Sequence, residues 1–541
     1  MVLDVLKQIR NEEQHPKTRE LHPDVASFLD SLGNDHAHTT GPFIEVSDVV
    51  RTLGKVYERL RTVVDYRDEH LLRKAAIERI LKRRFDPAGD LPQLARAFVE
   101  ELIRAGYIAN GTLPESKLKD ITAILKRYAT IESAITADDP KLAGRPVAEL
   151  RGIMAAELDE FFGHDVPVAS GVRVLGKLLR EHLVFRGAID ERERDIQILL
   201  ACERALHSLD RSSLSYALLR ASIRDWDDVE GERAAQFGRN FGKWSSFFAA
   251  SLNHPLRYRL MSITKRYAVL MTLLFDISKH HPGQMRHLAQ SVEEMHTQVL
   301  DAYLARYSNA KKRLRRGAFR AIIYLLLTKF LLAALLEVPY DIAVIGHITW
   351  LPLSINLAFP PLFMFIVALF IDVPSKRNTG AVVTGMEGFL GAGYAGNLKH
   401  EIRVRPRRRG FISILANAFY LVTYVITFGA IVWVLRQLGF TLLGVLIFVF
   451  FLTVVSFFGI RIRRNVRELL LFAEAKGGYS TLIDFFTFPI VRAGQWLSES
   501  FQRINVFVFI LDIFIEAPLQ IALEVLEHFI AFFREKKEEV Y

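Results

Sequence analysis

FRAIIYLLLTKFLLAALL, residues 319–336, decides how this chain is read. A helix needs about 20 apolar residues to cross the hydrocarbon core of a bilayer, and this run comes close. Its only charges are Arg320 at one edge and Lys329 inside it. Downstream lie three more apolar runs: 350–371, interrupted by Pro352, Pro360 and Pro361, then 411–435 and 440–460, which carry no charge. Upstream, charges recur every few residues and no run is long enough to span.

The whole chain agrees with a mixed character. Of its 541 residues 50% are hydrophobic, and the mean hydropathy is +0.17. That excludes a disordered or low-complexity protein. One cysteine, Cys202, excludes intramolecular disulfides and multi-cysteine zinc or iron–sulfur sites. The formal net charge of +10 favours anionic partners, either lipid headgroups or nucleic acid. The opening MVLDVLKQIRNEEQHPKTRE has no apolar core before a small-residue cleavage site, so the first span is expected to act as the targeting signal.

Residues 1–316 read as a helical domain. Val50, Leu53, Tyr57, Leu60 and Val64 fall at helical spacing after Ser47, a candidate N-cap. Asp90–Ile108 reads as a helix closed by Asn110–Gly111, and seven more helices are expected between 114 and 279. Few alternating β-branched runs occur, so no sheet is expected. A sub-boundary is placed at 136–146. Met285, Leu288, Val292, Met295, Val299 and Ala302 follow heptad spacing. They form either a dimerising coiled coil, giving a homo-oligomer, or, as the short run favours, a seam packed on its own bundle. Residues 284–316 are expected to be a long helix leading into the membrane.

Basic residues set the orientation. Lys311, Lys312, Arg313, Arg315 and Arg316 precede the first run; Lys399, Arg403, Arg405, Arg407, Arg408 and Arg409 separate the second from the third; Arg461, Arg463, Arg464 and Arg467 follow the fourth. Loops rich in Lys and Arg stay cytoplasmic. Four spans (about 319–336, 350–371, 411–435 and 440–460) with both ends inside satisfy every cluster. The expected fold is therefore all-α: a cytosolic helical-bundle domain over 1–316, a transmembrane domain over 317–468, and amphipathic helices along the interface over 469–541. The expected location is the bacterial inner membrane. Asp512, Glu516, Glu524 and Glu527 argue against a fifth span in the tail, since a central Asp costs roughly 3 kcal/mol on insertion scales.

TKFLLAALLEVPYD (328–341), NLAFPPLFM (356–364), FFGIRIRR (457–464) and INVFVFILDIFIEAP (504–518) together resemble a family of multi-pass membrane proteins from candidate-phylum bacteria. The likeness covers the membrane half and tail. It implies a membrane location, and it carries no assigned activity, cofactor or catalytic residue.

Lys329 is the sharpest candidate, because an ammonium at mid-membrane depth is costly unless paired or hydrated. Pro360 and Pro361 lack N–H groups and free the carbonyls of Asn356 and Leu357. Lys329 is expected to donate to this break, together with the Asn356 side chain; Lys329, Asn356, Pro360 and Pro361 thus form a candidate polar site, read as a clamp between spans, as snorkelling of the long lysine, or as an ion or solute site at a broken helix. Glu337, Asp341 and His347 are candidate residues of an outer pore mouth, the plainer reading being a solvated loop. Arg403, Arg405, Arg407, Arg408 and Arg409 are candidate contacts to anionic lipid headgroups. Nucleic acid is not expected, since no aromatics interleave those arginines. Gly391, Gly393 and Gly396 spell GxGxxG without the strand and acid that a dinucleotide site needs. His36, His38, His280, His281 and His287 stand in no metal-ligand spacing. Asp372, Glu401 and Asp484 form no recognisable catalytic set for a lipid-modifying enzyme. No cofactor is expected. Two functions survive: a membrane-anchored scaffold with an unidentified cytosolic protein partner, and a channel or transporter built on Lys329.

Overall fold

A computed structural model describes residues 18–32, 42–47, 51–52, 58, 71–138, 144–163, 166–187, 189–207, 209–369, 376–391, 400–403, 411–467, 487–497 and 525. With 82% helix and 3% strand, the fold is all-helical. In chain order the helices are α1 (Pro23–Ser31), α2 (Leu72–Arg84), α3 (Leu91–Ala105), α4 (Lys117–Asp138), α5 (Gly144–Phe162), α6 (Val166–His182), α7 (Glu191–Leu206), α8 (Arg211–Ser222), α9 (Gly231–Arg239), α10 (Phe241–Leu252), α11 (Arg257–His280), α12 (Met285–Gln290), α13 (Val292–Leu332), α14 (Val338–Val344), α15 (Trp350–Leu369), α16 (Lys376–Leu390), α17 (Phe411–Gln437) and α18 (Leu442–Arg467). Two short strands, β1 (Leu183–Arg186) and β2 (His400–Arg403), pair in parallel with Leu183 opposite His400.

The described residues fall into two compact units. One draws on the described residues between 27 and 268, with 400–403 and 525, and the other on those of 18–26 and those between 269 and 391 and between 411 and 497. The division therefore lies at 268/269, whereas the sequence reading drew its line at 316. Residues 269–316 join the second unit because α11 and α13 are tied together: Arg306 donates to Asp276 at 2.6 Å and to the Thr272 carbonyl at 3.1 Å.

In the first unit, caps set the helix ends. Asp90 accepts from the Gln93 N–H at 3.1 Å to open α3, and Gly106 closes it at φ 84°, a conformation glycine adopts without strain. Helix α3 thus ends at Ala105, short of the expected stop at Asn110–Gly111. Asp190 and Asp210 open α7 and α8 in the same way. Of the stretch 47–85, which the spacing after Ser47 reads as helical, 51–52, 58 and 72–84 are helical, Ser47 and Phe85 are not, and 48–50, 53–57 and 59–70 lie outside the described residues. The core runs through Phe98, Leu102, Leu125, Tyr128, Ile153, Leu158, Leu218 and Trp226. Cys202, on α7, is buried too, and burial pushes its thiol up, away from the reactive thiolate.

Helices α4 and α9 touch backbone to backbone at Gly238. A Cβ there would sit 2.6 Å from the Ile131 carbonyl oxygen and 2.7 Å from the Ala134 Cβ. Neither is a flexible side-chain end, so Gly238→Ala is expected to destabilise this unit by roughly 1–3 kcal/mol, the range for overpacking. Gly242→Ala, with nothing within 4 Å, is the matched control and should be neutral or slightly stabilising in thermal unfolding.

Lys74, a buried residue of α2, donates to Asp210 at 2.5 Å and to Glu78 at 2.7 Å. Burial alone would raise the Asp210 carboxyl. The Lys74 charge and hydrogen bond, with the Ser213 N–H at 2.9 Å, outweigh that and hold it below the ordinary aspartate value of 3.8. The unfolded chain then takes up this proton at a higher pH than the native one. The stabilisation is full above 3.8 and is lost as pH falls through the native value. Asp210→Asn should flatten the acid limb of the melting temperature against pH.

In the second unit the heptad residues turn inward. Met285, Leu288, Val292, Met295 and Val299 are all buried within the chain itself, and Ser291 interrupts the helix there by capping α13 through the Glu294 N–H at 3.4 Å. Beyond Ser291 the helical path continues for 53 residues to Val344, about 80 Å at 1.5 Å per residue. This path, Ala418–Gln437 and Leu442–Gly459 are the three described helices long and apolar enough to cross a membrane; Trp350–Ile366 is a shorter apolar helix. Two clusters hold them: Leu325, Met364, Phe451 and Val455 in one, and Leu435, Phe440, Val445 and Phe448 in the other. Large apolar side chains cover the outer faces, among them Leu327, Phe330, Leu335, Leu421 and Val425.

Candidate functional site

Lys329 lies on α13 with its side chain wholly covered. Its ammonium donates to the Asn356 Oδ1 on α15 at 2.5 Å and lies 3.5 Å from the Glu337 Oε1. It also sits over the Phe451 ring of α18, 4.6 Å from the centroid. Asn356, itself buried, passes the link on by donating from Nδ2 to the Gly444 carbonyl in the first turn of α18 at 3.3 Å. One side chain thus joins α13 to α15, and through Asn356 to α18.

Local backbone explains how Glu337 reaches Lys329. Eight residues along an ideal α-helix advance about 800°, which leaves the two side chains about 80° apart around the axis. Residues Ala333–Glu337 form one π turn. A π turn accommodates an extra residue, so the effective advance falls to about 700° and the offset to about 20°. The acid is brought nearly into line with the lysine.

That geometry corrects the expected outer loop. Glu337 and Asp341 are helical and buried, at 5% and 4% exposure, where a solvated loop was expected. Asp341 accepts from the Thr349 hydroxyl at 2.5 Å and the Thr349 N–H at 3.3 Å, pinning the turn that leads into α15. His347 is exposed and takes no part. A hydropathy window ends the span at 336 because it scores Glu337 as a loop residue. The apolar residues on either side of Glu337 and Asp341, in LLEVPYDIAVIG (335–346), are the signal that the helix continues.

Pro360 and Pro361 also differ from expectation. Helix α15 runs through both without a break, and the Lys329 ammonium goes to the Asn356 side chain and Glu337, not to the carbonyls the prolines free. The other candidates scatter. Arg403 is the last residue of β2, and Arg405, Arg407, Arg408 and Arg409 lie outside the described residues. Glu401 pairs with Arg186 at 2.5 Å, while Asp372 and Asp484 lie outside the described residues. Gly391 bridges to Leu21, and Gly393, Gly396, His36 and His38 lie outside the described residues. His280 and His287 are exposed, and His281 faces Gln298 at 3.3 Å. Among the described residues, no three His, Cys, Asp or Glu side chains are grouped to hold a metal ion.

A second buried polar cluster, in the first unit, escaped the sequence reading. Glu157 accepts from Arg127 at 2.7 Å, from the Tyr128 hydroxyl at 2.7 Å and from the Trp226 indole N–H at 2.8 Å. Arg127 also donates to the Asp227 carbonyl at 2.7 Å. The carboxylate is saturated by its own chain, which suits it to holding α4, α5 and the Trp226 turn together. Compared with models of known families, with curated proteins and with solved structures, the chain matches none.

Proposed function

We propose that this chain, with the family its membrane half resembles, is a multi-pass protein of the inner membrane whose helical N-terminal part works in the cytosol as a membrane-anchored interaction module. The observation that carries this reading is the closed state of the Lys329 site. A fully covered ammonium held by Asn356, Glu337 and the Phe451 ring is a clamp between helices, with its partners supplied by the same chain. Four spans follow if the shorter helix Trp350–Ile366 crosses with the three longer ones. The outward apolar faces then meet lipid. The basic clusters at 311–316, within α13 before its apolar part, and at 461–467, in the last turns of α18, support both ends in the cytoplasm, with Arg403–Arg409 against anionic headgroups.

Single cysteines in a Cys202→Ser background test the topology. Cysteine at His347 or Leu438 should label from outside intact cells and cysteine at Ser308 only after lysis; the inverse pattern overturns it.

A second reading, transport, has one observation in its favour. Lys329, Glu337 and Asp341 line up along one helical path through a π turn, a feature frequent at functional sites. Sealed vesicles holding the protein decide between the two. The clamp reading expects no ion or proton flux above empty vesicles. Flux that Lys329→Met alters would install transport in its place.

A further inference from the structure

The first unit contains a cleft of about 840 Å3 between the start of α7, the end of α8, and α9 and α10. Small-molecule sites typically span roughly 300–1,000 Å3. One wall is aromatic: Phe237, Trp244 and Phe247 lie in series, with ring centroids 5.3 Å and 5.9 Å apart, and Ile196 faces the same space. Such a wall suits an alkyl chain.

The charges around the cleft are uneven. Glu193 is paired with His254 at 3.1 Å and Arg233 with Asp225 at 2.5 Å. Asp190 is committed to the α7 cap, accepting from the Arg192 backbone N–H. Arg192 and Lys243 also line the cleft, and their side chains make no ion pair among the described residues. Ser222 adds a hydroxyl that is buried and makes no hydrogen bond. A buried hydroxyl left unpaired is costly, and a bound acceptor would relieve it.

We infer that this cleft binds a single-chain anionic amphiphile, its alkyl part along Phe237, Trp244 and Phe247 and its acidic head toward Arg192, Lys243 and Ser222. The site lies within the first unit and does not depend on whether Lys329 clamps or transports.

The test uses the full chain in nanodiscs with Trp350, Trp433 and Trp496 replaced by phenylalanine, leaving Trp226 and Trp244 as reporters. The probe is 11-bromoundecanoate, whose bromine quenches indole fluorescence on contact. Quenching should saturate, and the saturable part should vanish in Trp244→Phe and in Ala250→Phe, which fills the cleft from an exposed lining position. Arg192→Glu with Lys243→Glu should weaken it at least tenfold, and so should exchanging the probe for its trimethylammonium counterpart. Quenching that never saturates and is equal in all variants is partition into lipid and overturns the site. Equal binding of carboxylate and ammonium probes, or indifference to the charge reversals, overturns the anionic head.

Discussion

Lys329→Met should lower the unfolding midpoint of the reconstituted protein more than any other single change among its apolar helices, by the equivalent of about 3 kcal/mol, the low end for breaking a buried ion pair. Two terms compete. Methionine fills a similar volume and removes the cost of burying an ammonium. Against that, it leaves the Glu337 carboxylate, 5% exposed, without its cation and the Asn356 Oδ1 without its donor. Polar contacts between membrane helices average only about 0.6 kcal/mol when both partners keep alternatives. An uncompensated buried charge is the larger effect, so destabilisation wins. The double variant Lys329→Met with Glu337→Leu removes both charges and should recover most of the loss. A single variant as stable as wild type, or a double variant no better than the single, would remove the clamp.

The parts of this site that sequence made visible are those governed by composition. Lys329 stands alone in an apolar run, and Asn356 is an amide in another, so their meeting was an available inference from depth alone. Glu337 stood out only as an outer-mouth candidate, and its pairing with Lys329 was hidden for a geometric reason. Ordinary helical phase puts it about 80° from Lys329, and only the π turn at Ala333–Glu337 corrects that. The prolines misled in the opposite direction: α15 continues through Pro360 and Pro361, so the missing N–H groups did not become the acceptor site for Lys329. The start of α3 at Asp90 was legible, because capping is local chemistry, whereas the caps at Asp190 and Asp210 went unread. The pairing of β1 with β2 was not, since residues 183 and 400 meet only in the folded chain. The same holds for the cleft, whose lining comes from four helices, and for Glu157, whose donors stand at 127, 128 and 226.

Glu157→Ala should cost the first unit about 3–5 kcal/mol, the range for removing one member of a buried ion pair. The substitution strands three buried donors at once: the Arg127 guanidinium, the Tyr128 hydroxyl and the Trp226 indole N–H. The stranded charge is the largest loss, because Arg127 is buried too and keeps the Asp227 carbonyl and the Trp226 ring face, 5.3 Å from its guanidinium carbon. Water entering the vacated space would recover part of this, which favours the lower end. Glu157→Gln keeps the volume and one acceptor oxygen but turns an NH2 toward groups that also donate, so it should fall between alanine and wild type. Replacing Arg127 and Glu157 together by methionine removes both charges while filling the space. It should be far less damaging than Glu157→Ala, as happens when buried pairs give way to apolar residues of similar volume. The signal to follow is the near-ultraviolet circular dichroism and fluorescence of Trp226 during thermal unfolding. If Glu157→Ala melts with wild type, these donors find other acceptors and the cluster does not hold α4 and α5 together; if the double methionine variant is worse than the single alanine, the ion pair itself stabilises the unit.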